Sequence, residues 1–192
     1  RVAAERAEAE RVAAERAEAE RATAAALAAA AAAPAAAAAV AAPRAAVPTS
    51  GDAEDPDEAL DTSDLDVELV DLFLEETTDI LDHSDGMLAR LRDKIDDHEV
   101  IVNLQRDLHT LKGGARMAGI MAVGDLGHSM ESLLEAVAEG RRALDTTGLV
   151  VLERGFDRLH SMVGRIGARK AIALPSGLIA QVEALSEGKP LP

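Results

Sequence analysis

No cysteine occurs in the 192 residues. That excludes disulfides, thiolate-ligated metal and a cysteine nucleophile, and it is compatible with the cytosol, where the protein is expected. Tryptophan and tyrosine are also missing and phenylalanine occurs only twice, which leaves almost no rings on which nucleic-acid bases would stack. Outside one alanine tract, no apolar run approaches the 18 or so residues of a membrane span. The tract itself is weakly hydrophobic and is interrupted by Pro34 and Pro43. No signal peptide is recognisable. Neither a Walker-type GxxxxGK nor the glycine-rich boxes of an ATP lid is present, so no nucleotide site is expected in this chain. Its first residue is Arg1 rather than methionine, as expected of a piece of a longer protein.

What is present is unevenly distributed. The whole chain holds 20 Lys+Arg and 35 Asp+Glu. Six of each class lie in residues 1–50, leaving 14 against 29 in residues 51–192, where the entire net charge of −15 resides. Such a surface repels nucleic acid and anionic lipid, and favours a protein partner that brings a basic patch or its own metal ion.

The decapeptide RVAAERAEAE occurs twice, at 1–10 and 11–20. A period of ten is neither a 7- nor an 11-residue supercoil repeat, and Val2 and Val12 alone make no seam. Residues 22–50 are nearly all alanine, broken by Pro34, Pro43 and Pro48. Residues 1–50 are therefore expected to be a low-complexity tether without a core.

From about Asp57 the texture changes to apolar residues spaced three and four apart, the mark of amphipathic helices. Four segments are predicted: about 66–91 with Leu69, Phe73, Ile80, Met87 and Leu91 inward; 97–118 with Ile101, Leu104, Leu108, Leu111, Ala115 and Ala118; 121–139 with Val123, Leu126, Met130, Leu133 and Val137; and 147–168 with Leu149, Leu152, Phe156, Leu159, Val163 and Ile166. A shorter fifth runs from Ser176 to about Leu185. Short links and no strand alternation predict an all-α fold. It is an antiparallel four-helix bundle with a short fifth helix, spanning 57–187 and monomeric.

The second segment contains an anomaly. LHTLKGGARMAG, residues 108–119, places two glycines inside a helix, at a cost of about 1 kcal/mol each relative to alanine. At about 100° per residue, the inward residues Leu104, Leu111, Ala115 and Ala118 lie about 180–240° from His109. His109 thus faces away from the core, with Lys112, Gly113 and Arg116 within about 60° of it. Gly113, one turn on, uncovers the imidazole, and Gly114 thins the adjacent surface. Lys112 and Arg116 add positive charge. Access and cations around a histidine suit an incoming phosphoryl group.

His109-Thr-Leu-Lys112-Gly113-Gly114 resembles the motif of histidine phosphotransfer (HPt) domains. GHSMESLLE at 127–135 adds His128 and Glu131. With a turn near Gly119, His109 and His128 are expected at the same height, about 15 Å from the turn. This pairing is similar to the phosphotransfer domain of CheA-type chemosensory histidine kinases, as is VELVDLFLEETTDIL to the first helix of those domains. The likeness covers roughly 60–170. The longer phrase HTLKGGARMAGI…LGHSMESLLEAV is similar to the multi-HPt hybrid kinases of type IV pilus and twitching-motility systems. The resemblance implies His109 as phosphoacceptor through Nε2, Glu131 as hydrogen-bond acceptor for its ring, and Lys112 beside the transferred group, with His128 near. It also implies a kinase ATP domain and a response-regulator receiver as partners, which bring the ATP and Mg²⁺; no cofactor is expected on this chain. Two rivals remain: a non-catalytic helical docking module, and a di-metal bundle built on Asp125-x-x-His128 and Asp157-x-x-His160. His83, His98 and His160 match no motif and are expected at the solvated surface or the core edge.

Overall fold

The computed structural model describes residues 54–192; the expected tether at 1–50 lies outside them. Among the described residues five helices follow one another: α1 (Val67–Asp93), α2 (His98–Met117), α3 (Met121–Ala138), α4 (Thr146–Gly167) and α5 (Ser176–Glu187). Three of them begin at an aspartate. Asp66 accepts hydrogen bonds from the amides of Glu68 and Leu69, Asp97 from Val100 and Asp145 from Gly148. Each carboxylate satisfies orphan N–H groups and complements the positive end of the helix, so part of the acidic excess is structural.

The first four helices run antiparallel, each packed on its neighbours in a closed ring, with α1 also against α4. Their inward faces make one core that includes both phenylalanines, Phe73 and Phe156. The inward lines of α2 and α4 are those the sequence predicts, and in α3 only Val137 is half-buried. In α1 the line is different. Val70, Phe73, Thr77, Leu81, Ser84, Leu88 and Leu91 are buried, whereas Leu69, Ile80 and Met87 are half-buried flanks. Two hydroxyl residues on the inward stripe hide it from an apolar pattern; Ser84 is accommodated by bonding the Ile80 carbonyl at 2.9 Å.

The fifth helix is part of the core. It packs on both α3 and α4, burying Leu178 and Val182, and its buried Gln181 accepts a hydrogen bond from Arg154 of α4.

The folded unit starts before the predicted boundary at 57. Asp55 receives both terminal nitrogens of Arg158 at 2.6 Å and the Ala173 amide at 2.8 Å, with Arg165 at 3.5 Å. Arg165 also donates to the Pro56 carbonyl, and Ala59 pairs with Lys170 in a single antiparallel bridge. A strap over 55–60 is thus stitched to the end of α4 and the loop that follows it. Among the described residues no helix is long and apolar enough to cross a membrane.

Candidate functional site

The turn between α2 and α3 is three residues long and is made possible by Gly119, whose φ of +77° is a left-handed conformation open to glycine. Beyond it, α3 approaches α2 closely because Gly124 and Gly127 face α2. A Cβ at Gly127 would sit 3.3 Å from the Leu111 side chain and 3.7 Å from Cβ of Lys112; one at Gly124 would meet the Arg116 side chain at 3.1 Å. These small residues bring Glu131 within reach of α2.

His109 projects from α2 with its side chain 71% exposed. Its Nδ1 lies 2.7 Å from Oε1 of Glu131, whose side chain is only 13% exposed. The other carboxylate oxygen, Oε2, lies 2.5 Å from the ammonium of Lys112, 16% exposed, and 4.0 Å from Nδ1 of His128. Burial pushes the Glu131 carboxyl up, but hydrogen bonds and positive charge from Lys112 and His109 outweigh it and hold the carboxyl below its usual range. Glu131 is therefore ionised at neutral pH. An ionised carboxylate can only accept, so Nδ1 carries the proton, and in the neutral ring the lone pair is on Nε2. A cleft of about 440 Å³ beside the ring is lined by Val102, Gln105, Arg106, His109, Thr110 and Glu131.

The geometry departs from the sequence expectations at four points. His128 is not level with His109. Gly127 abuts Lys112, so His128 stands about one turn nearer the hairpin, and Glu131 is the residue opposite His109. Lys112 turns to Glu131 instead of the open face, because a half-buried carboxylate is a stronger attraction than solvent. The Arg116 stem lies along Gly124 of α3 instead of over the ring. The two glycines also separate. A Cβ at Gly113 meets nothing within 4 Å, whereas one at Gly114 would lie 3.2 Å from the Phe73 ring of α1. Gly113 leaves space around His109, and Gly114 lets α1 and α2 pack.

Of the remaining histidines, His83 makes a similar contact to a carboxylate on the next helix, but among the described residues no lysine is paired with that carboxylate. His83 has Nδ1 2.7 Å from Asp107, and His160 has Nε2 3.2 Å from Asp85, while His98 is exposed. Asp125 is half-buried and Asp157 exposed. Among the described residues no three His, Cys, Asp or Glu side chains converge as a metal site.

A helical bundle with an exposed histidine held by a carboxylate from the next helix defines a class, and comparison with known families agrees: residues 68–168 match the Hpt domain model, and the chain belongs to that family. Among its relatives are chemotaxis protein CheA of Cereibacter sphaeroides, 30% identical over 115 residues, and the gliding motility regulatory protein of Myxococcus xanthus, 36% identical over 104. The matched regions are 57% and 54% of this chain but 17% and 13% of those proteins. The fold is shared with the phosphorylated P1 domain of CheA3, solved in complex with CheY6 from R. sphaeroides. The TM-score is 0.57 at 24% identity, covering 64% of this chain and 98% of that one.

Proposed function

We propose that this module is a phosphoryl carrier in a chemosensory phosphorelay, with His109 as the acceptor. The observation that carries the reading is one ring with two unlike nitrogens: Nδ1–H is fixed on Glu131 and Nε2 is open to solvent. The Nε2 lone pair attacks the γ-phosphorus of ATP held by a kinase domain; the N–P bond forms as the P–O bond to ADP breaks, and ADP leaves with the electron pair. The ring becomes an N-phosphoimidazolium whose positive charge faces Glu131. An aspartate oxygen of a receiver then attacks phosphorus, the P–N bond breaks, and the ring returns to its starting tautomer with no proton exchanged. Mg²⁺ on the partners screens the phosphoryl oxygens. The parent protein is a cytoplasmic histidine kinase, and similarity to the gliding motility regulator supports a surface-motility pathway such as type IV pilus twitching.

The test is sequential. Incubation with a kinase ATP domain and γ-labelled ATP should give acid-labile label on this chain, and adding a receiver should remove it. A chain that stays unlabelled beside a kinase domain able to label its own carrier overturns the reading.

Gly113 gives a sharper check. A side chain there meets no neighbour, so Gly113→Leu should stabilise α2 by up to about 1 kcal/mol while slowing transfer from kinase and to receiver alike, because the leucine stands where a partner must approach. A variant with a raised melting midpoint and undiminished transfer in both directions would show that the access around Gly113 is not used.

A further inference from the structure

Resting on the carrier reading above, we infer that Arg106, on the turn of α2 before His109, is the cation of this chain that contacts the phosphoryl group. The argument begins with where Nε2 faces. Glu131 approaches from α3 and holds Nδ1 on that side, so Nε2 is directed to the side of the ring away from α3. Lys112 lies on the α3 side, about 60° round the helix from His109, and its ammonium is already 2.5 Å from Glu131 and largely buried. To reach a phosphoryl on Nε2 it would have to abandon a half-buried carboxylate, which is costly. Arg116 is drawn along α3 over Gly124.

Arg106 lies about 60° from His109 in the opposite sense, one turn earlier, where side chains three apart are neighbours. It is exposed, lines the cleft beside the ring, and forms no ion pair with any described residue. The cleft holds a single carboxylate, Glu131, which already accepts from His109 and is ion-paired with Lys112. Gln105 and Thr110, also in the lining, offer neutral donors. Gly113, one turn later on the same side, is bare. A phosphoryl on Nε2 therefore has a forked guanidinium on one side, suited to two of its oxygens at once, and open space for the partner on the other.

The cations divide the work. Lys112 keeps Glu131 charged and in place, acting on the ring through it, and Arg106 meets the phosphoryl oxygens directly.

Phosphoramidate separates this role from protein docking, since it is a small donor that needs no interface. Its P–N bond breaks as the bond to Nε2 forms, and ammonia leaves. The full chain and its Arg106→Gln, Arg106→Lys and Lys112→Ala variants are treated with it across pH, following the rate at His109 and the ³¹P resonance of the phosphohistidine. Arg106→Gln should lower the rate about tenfold with an unmoved pH midpoint and a displaced ³¹P resonance, and Arg106→Lys should recover part of the rate. Lys112→Ala should instead change the pH profile. A wild-type rate and resonance in Arg106→Gln would overturn the inference and leave the carrier reading standing, including the case where Arg106 serves only to dock partners. Failure of the unmutated chain to take up phosphoryl at His109 would overturn both.

Discussion

His109→Gln should abolish acid-labile phosphorylation while leaving the bundle folded. The substituted side chain is mostly solvent-exposed, so little apolar burial is lost, and its amide can still donate toward Glu131. The melting midpoint should stay within a few degrees, since exposed substitutions typically cost under about 0.5 kcal/mol. Chemistry is different, because an amide nitrogen has no available lone pair and cannot form the N–P bond. The expected result is a labelled wild-type chain and a blank variant of equal stability. His83, His98, His128 and His160 remain in the variant as internal controls. Undiminished acid-labile label would move the acceptor to one of them, with His128 the first to examine because it borders the same carboxylate.

The second large effect concerns stability. Asp55→Ala should cost about 2–3 kcal/mol, the range for charge-assisted hydrogen bonds lost from a mostly buried site. It removes two bonds to Arg158 and one from the Ala173 amide, and leaves both Arg158 and Arg165 without their shared carboxylate. For a unit of this size the midpoint should fall by about 5–10 °C. Deleting residues 1–50 should leave the midpoint unchanged, whereas deleting 1–57 should reproduce the Asp55→Ala loss. The pH dependence has a definite sign. Hydrogen bonding from Arg158, which outweighs the opposing burial, holds the Asp55 carboxyl below its usual value. Its contribution is complete above the unfolded value, about 3.9, and is lost as pH falls through the lower folded value. Wild type and variant should therefore differ fully at pH 7 and converge in strong acid. Coincident melting at neutral pH would show that the strap holds nothing.

These two sites also mark what the sequence makes legible. The outward face of His109 and the helices that carry it and Glu131 follow from helical period, but the pairing of 109 with 131 does not: counting from the turn puts His128 level with His109, and only the family resemblance singles out Glu131. The inward lines of α2 and α4 are legible from the same period. Thr77 and Ser84 break the apolar signal in α1, so its stripe is read one residue off. Lys112 and Arg116 are long and flexible; sequence gives their position on the helix but not which neighbour wins the head group. Gly114 looks equivalent to Gly113 until Phe73, 41 positions earlier, is placed beside it. Asp55 is one acid in an acidic stretch, and its partner lies 103 residues away; no local pattern announces such a contact.

That difference in sequence separation fixes an order of assembly. His109 and Glu131 are 22 residues apart, and the hairpin that joins them closes a short loop at small entropic cost, so the pair forms as soon as α2 and α3 meet. The Asp55 clasp needs nearly the whole unit in place before its ends can find each other. During synthesis, the residues of the His109–Glu131 pair are all present once the third helix has emerged, while the clasp waits for the end of the fourth and the loop beyond it. In the finished molecule the same hierarchy runs backward: the strap is the segment that can release by a local opening, and the histidine with its carboxylate stays intact within the most local contacts of the fold.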